Sequence, residues 1–135
     1  MKLILGAVVG AILATLGAMF VYSDKFTPSA HIERTTEGTV LTSGTFYDND
    51  PTHPATGSFE IVSDGKGDRW INFSEDFSIA KAPDPHLRVN GKIIARTGWE
   101  GEQSFPIPNF ISEDIESVIV WCEKFDVGLA KSNLN

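Results

Sequence analysis

A single cysteine, Cys122, is present among 135 residues, so no disulfide can form within the chain. Methionine occurs only at Met1 and Met19, which leaves the body of the protein without a thioether to serve as an axial copper ligand. Histidine occurs three times, at His31, His53 and His86, with no local metal-ligand spacing. The chain has no glycine-rich phosphate-binding loop, no Gly-x-Ser-x-Gly elbow and no His-Glu-x-x-His helix, so nothing argues for a hydrolase or a nucleotide enzyme. Positive charge is also scarce. From Thr27 onward 9 Lys and Arg stand against 17 Asp and Glu, a balance that repels nucleic acid and anionic headgroups. Internal repeats and low-complexity tracts are absent.

One long apolar run is present, Leu3–Tyr22, with 20 uncharged residues after Lys2. As a helix it would span roughly 30 Å, the hydrocarbon thickness of a bilayer. Residues 1–22 therefore read as a transmembrane anchor or a signal peptide. The run exceeds a usual signal core of about 7–15 residues, and Leu16-Gly17-Ala18 makes a poor cleavage pattern. These points favour a retained single-span anchor. With Lys2 before the span and Asp24 and Lys25 cancelling after it, the body is placed on the extracytoplasmic side of the cytoplasmic membrane. Gly6, Gly10, Ala14 and Ala18 recur every four residues and could form a homodimer face. Residues 23–37 read as a linker.

From residue 38 to 135 the pattern is that of an all-β domain. Segments rich in Val, Ile, Phe, Thr and Trp alternate with Gly, Pro, Asn and Asp clusters, which predicts an antiparallel β-sandwich of about eight short strands. The expected strands are Thr39–Tyr47, Gly57–Ser63, Arg69–Phe73, Phe77–Ala80, Leu87–Val89, Lys92–Arg96, Ser117–Cys122 and Phe125–Ala130. Asn90-Gly91 predicts a two-residue hairpin turn. Pro106 and Pro108 assign Phe105 to Asn109 to an irregular segment or a sheet edge, and Ser112 to Glu116 could make one helical turn. Phe46, Phe59, Trp70, Phe73, Phe77, Trp99, Phe105, Trp121 and Phe125 are the expected bulk of the core.

Cys122 closes an apolar strand in which Val118, Val120 and Cys122 face one way and Ile119 and Trp121 the other. Two readings compete. As a core residue, Cys122 is a small inert hydrophobe. At the strand end, beside Glu123 and Lys124, a stabilised thiolate could carry electrons, ligate a metal or haem iron, or pair with another chain. His53, in a loop leading into a strand, could supply imidazole beside that thiolate or simply order its loop. The short acidic clusters Asp48-Asn49-Asp50 and Asp64 to Asp68 fit ordinary turns, not the EF-hand pattern.

Taken in order, Gly44-Thr45-Phe46, His53-Pro54-Ala55-Thr56-Gly57-Ser58-Phe59, Ile71-Asn72-Phe73-Ser74-Glu75-Asp76-Phe77, Pro83-Asp84, Gln103-Ser104-Phe105-Pro106-Ile107-Pro108 and Val118 to Phe125 resemble the DM-thirteen family. Members of that family are small extracytoplasmic β-domains with a proposed electron-transfer role. The resemblance implies a membrane-tethered redox domain in which Cys122 acts as a bare thiol or holds a prosthetic group, with haem or copper as candidates. It places His53 and Asp84 beside Cys122 as cofactor-binding residues and implies a protein redox partner. The chain departs from the family at Pro85-His86-Leu87-Arg88-Val89, so His86 carries no family role. The readings from other classes are a non-catalytic interaction module with a structural core cysteine, and a metal-binding module using Cys122 and His53.

Overall fold

The computed structural model describes residues Thr35–Asn135. The expected anchor, its Gly6, Gly10, Ala14 and Ala18 face, and the linker before Thr35 lie outside the described residues. Within them there is no helix; eight strands account for the regular structure. These are β1 Thr39–Asp48, β2 Ser58–Ser63, β3 Arg69–Phe73, β4 Pro85–Val89, β5 Lys92–Arg96, β6 Gln103–Ile107, β7 Val118–Cys122 and β8 Val127–Leu134.

All pairings are antiparallel, and one continuous sheet runs β5-β4-β7-β8-β1-β2-β3-β6. The expected all-β antiparallel architecture is present, but the hydrogen bonding does not divide into two sheets. The reason lies in the two longest strands. β8 bonds β7 through Val127–Ala130 and β1 through Ala130–Leu134, while β1 bonds β2 through Thr39–Thr45 and β8 through Gly44–Asp48. Register shifts between Val40 and Thr42 and between Val120 and Trp121 put an extra residue into each of these strands. Such bulges bend a strand and increase its twist, so the sheet curls until its ends β5 and β6 approach each other. Gln103 helps close the seam. Its Oε1 accepts from the Gly98 amide at 2.6 Å, and the side chain is buried.

The hairpin turn at Asn90-Gly91 forms as expected, with φ of 51° and 79°, the pair of left-handed residues that a two-residue turn requires. Phe77–Ala80 is not a strand; Ser78 makes only isolated bridges to Thr56 and Glu100. β6 emerges from the proline-containing segment as an edge strand paired with β3 alone, and an edge can accommodate Pro106 without losing a ladder partner. Ser112 to Glu116 makes no helical turn. Instead Ser112 Oγ accepts from the Asp114 amide at 3.2 Å, the local bond by which Ser competes with helix. Phe125 belongs to the turn before β8, not to the strand, and is 63% exposed.

The interior has two compositions. Under β1, β2, β3 and β6 lie Phe46, Phe59, Phe73, Phe77 and Phe105, with ring centroids 4.4–5.3 Å apart in tilted or edge-on pairs. Each such pair adds about 0.5–1.5 kcal/mol beyond its burial. Under β4, β5, β7 and β8 lie Leu87, Val89, Ile94, Ala95, Val118, Val120, Leu129 and Ala130. The expected tryptophans are not core. Trp70 and Trp121 point outward from β3 and β7 and Trp99 lies in the loop after β5, and their indole N–H groups donate to Asp64 Oδ2, the Ala82 carbonyl and Asp126 Oδ1. An indole donor needs a partner, and the apolar interior offers none.

Candidate functional site

Cys122 points inward with Val118 and Val120 and is 0% exposed. Its strand is internal, flanked by Pro85 on β4 and Val127 on β8. It is a free thiol packed within the aliphatic half of the core. Lys124 lies in the turn after β7, its ammonium 5.8 Å from the Phe125 ring centroid.

The other two residues of the expected set are engaged elsewhere. His53 Nδ1 lies 2.8 and 2.9 Å from the two carboxylate oxygens of Asp50, within the loop joining β1 to β2. Bonds from the Thr52 hydroxyl, His53 and Asn49 hold the Asp50 carboxyl well below its ordinary value of 3.8. Asp84 accepts from Arg96 at 2.6 Å, and its carbonyl accepts from the Glu123 amide at 3.1 Å. Asp84 thus adjoins the end of the Cys122 strand through its backbone while its carboxylate faces Arg96. His86 is the histidine brought onto the neighbouring strand. It pairs in register with Trp121, is 8% exposed, and its Nδ1 lies 3.0 Å from the Asp84 carbonyl. Among the described residues no group of three or more His, Cys, Asp or Glu is arranged to hold a metal ion. A fully enclosed Sγ among apolar side chains does not fit the ligation of haem or copper.

The outer face above Cys122 is more elaborately built. Arg88 forms a two-point bond to Glu123, at 2.7 and 2.6 Å, which raises the guanidinium further above its ordinary value. The same guanidinium lies 4.9 Å from the Trp121 ring centroid. With Asp126 holding the indole N–H at 3.1 Å, Trp121 is fixed at one face and at one edge. Beside it on β8 is Gly128, paired with Trp121 across the bulge. A Cβ at Gly128 would collide with the side chain of Asn49, which fills that space. Asn49 in turn donates to Asp50 at 2.9 Å. The His53–Asp50–Asn49 chain therefore ends against the strand opposite Trp121.

Between these features runs a groove of about 240 Å³ over β8, walled by Trp121 and Ile119 on β7 and by Tyr47 and Asn49 at the end of β1. Sequence reasoning missed Tyr47, Arg88 and Asn49 as site residues. The signal available was alternation: in β1 and β7, Tyr47 and Trp121 occupy outward positions between inward Phe46, Val120 and Cys122. What alternation could not show is that β8 lies between those two strands. Comparison with protein-family models, with curated proteins and with solved structures gives no match for this chain.

Proposed function

We propose that residues 38–135 form a non-catalytic interaction module, carried outside the cytoplasmic membrane by the Leu3–Tyr22 segment, in which Cys122 is core packing. The observation that carries this reading is the complete burial of Cys122 between Pro85 and Val127. A thiol enclosed by apolar side chains is inert, whereas reactive thiols occupy electropositive and partly exposed sites. The outer face supports binding over chemistry, because its polar groups hold an aromatic surface in place rather than converging on a nucleophile.

The test is alkylation of the native full-length chain with N-ethylmaleimide, followed by mass spectrometry across a denaturant series. The expected result is no labelling until the domain unfolds, with labelling and loss of secondary structure sharing one transition. Rapid labelling of the folded protein would overturn the reading and bring forward the electron-transfer role implied by the DM-thirteen resemblance.

A further inference from the structure

We propose that the groove between Trp121 and Tyr47 is a carbohydrate site that stacks a pyranose ring of a β-linked saccharide on Trp121. This rests on the interaction-module reading and supplies its ligand class. The walls come from β7 and β1, which flank β8, so their backbones stand about 10 Å apart, two strand spacings. Along β8 the groove is lined by Ala130, Lys131 and Ser132, so its floor carries two small side chains and one flexible lysine. Trp121 is held before any ligand arrives: Arg88 covers one side of the ring, Asp126 takes its N–H, and Glu123 fixes Arg88. Fixing an aromatic wall in advance lowers the ordering cost of stacking.

The distribution of hydrogen bonds identifies the ligand class. Around the core of this face the charged groups are paired, Arg88 with Glu123 and Arg96 with Asp84. At the groove, Lys131 and the side chains of Tyr47 and Glu116 have no hydrogen-bond or ion-pair partner among the described residues. A cationic donor, a phenol and a carboxylate around an aromatic wall match hydroxyl groups, which both donate and accept. The apolar C–H face of a pyranose then covers the indole. A proline-rich peptide is the other ligand that aromatic grooves take, but its usual anchor is an indole N–H donated to a peptide carbonyl. Here Asp126 already accepts that N–H.

The experiment is calorimetric titration of the full-length chain, in a detergent without a sugar headgroup, with the β-1,4-linked hexasaccharides of glucose, mannose and N-acetylglucosamine. At least one should bind saturably. Tyr47→Ala and Trp121→Ala should each weaken that binding about tenfold or more. Trp99→Ala, at an exposed tryptophan that does not line the groove, should leave it unchanged. Circular dichroism would check that each variant folds, and Tyr47 is exposed enough that its removal should be tolerated. Failure of all three saccharides, indifference to both groove variants, or binding of decaproline at Trp121 in their place would overturn the carbohydrate proposal. None of those results alters the alkylation readout on which the interaction-module reading stands.

Discussion

The half of the sheet built from β1, β2, β3 and β6 packs five phenylalanines, while the half built from β4, β5, β7 and β8 packs Leu, Val, Ala and the one cysteine. Rings of that size fill the interior from one side, and the opposing strands contribute aliphatic side chains that pack against them. Cys122 occupies such a position, between Val120 and the turn, where a side chain of about that volume fits. The outer faces differ as well. Over the phenylalanine half, the segment before β1 lies against the sheet. Thr36 exchanges two bonds with the Asn72 side chain at 2.9 and 2.7 Å, and Asn72 Oδ1 also accepts from the buried Ser104 hydroxyl. Over the aliphatic half lie the Arg88–Glu123 and Arg96–Asp84 pairs and the Trp121 groove. One half seats the incoming chain; the other presents a prepared surface.

The largest expected effect tests whether the phenylalanine cluster dominates stability. Phe73 contacts Phe46, Phe77 and Phe105, so Phe73→Ala should cost about 3–5 kcal/mol by denaturant unfolding, near the upper end for a single truncation. Leu87→Ala in the other half, also 0% exposed, should cost about 2–5 kcal/mol and fall below Phe73→Ala. Equal costs would break the contrast between the halves. A smaller effect concerns the seated segment. Asn72→Ala removes both bonds to the Thr36 backbone and leaves the Ser104 hydroxyl only its bond to the Thr36 hydroxyl, and should cost about 1–3 kcal/mol while exposing the Thr36 amide to faster exchange. Exchange confined to that segment, with the Trp121 strand still protected, would sharpen the division.

The smallest effect is acid sensitivity, and both ends of the molecule contribute. Asp50 is lowered by the Thr52 hydroxyl, His53 and Asn49, and Asp64 is lowered by the Lys66 amide, the Trp70 indole and the Asp68 amide. A carboxylate with a folded pKa below its unfolded value adds stability that is present above about pH 4 and lost as pH falls through the folded value. Both groups are partly exposed and screened by solvent, so the loss should be modest. Denaturation midpoints measured from about pH 5 downward should decline, and Asp50→Asn or Asp64→Asn should flatten that decline. A variant with the wild-type slope would remove that carboxylate from the account.

Much of the fold was legible along the chain. Seven of the eight expected strands lie on or overlap observed ones, and the Asn90-Gly91 turn and the internal position of the Val118–Cys122 strand, apolar on both faces, follow from the residues themselves. Trp70, Trp99 and Trp121 were assigned to the core by size, although their N–H groups require acceptors supplied by Asp64, Ala82 and Asp126. Pro106 left Phe105–Asn109 open between an irregular segment and a sheet edge, and the structure makes Gln103–Ile107 the edge strand β6, because only pairing far along the chain decides which strand is last in its sheet. His53 was expected beside Cys122, but a carboxylate three residues away in the same loop engages it first.

The sequence by itself determined that this body is all-β and antiparallel, that its strands alternate, and that no disulfide within the chain stabilises it. Those properties depend on neighbours within a few residues: side-chain period, turn geometry and the count of thiols. Only the tertiary structure decided that the eight strands form one curling sheet, that Cys122 is enclosed, and that Trp121 and Tyr47 line one groove over β8. Each of these depends on pairing between residues far apart in the chain, as where β1 meets β8. Local preference leaves such pairing open, and the packing of five phenylalanines against aliphatic side chains selects it.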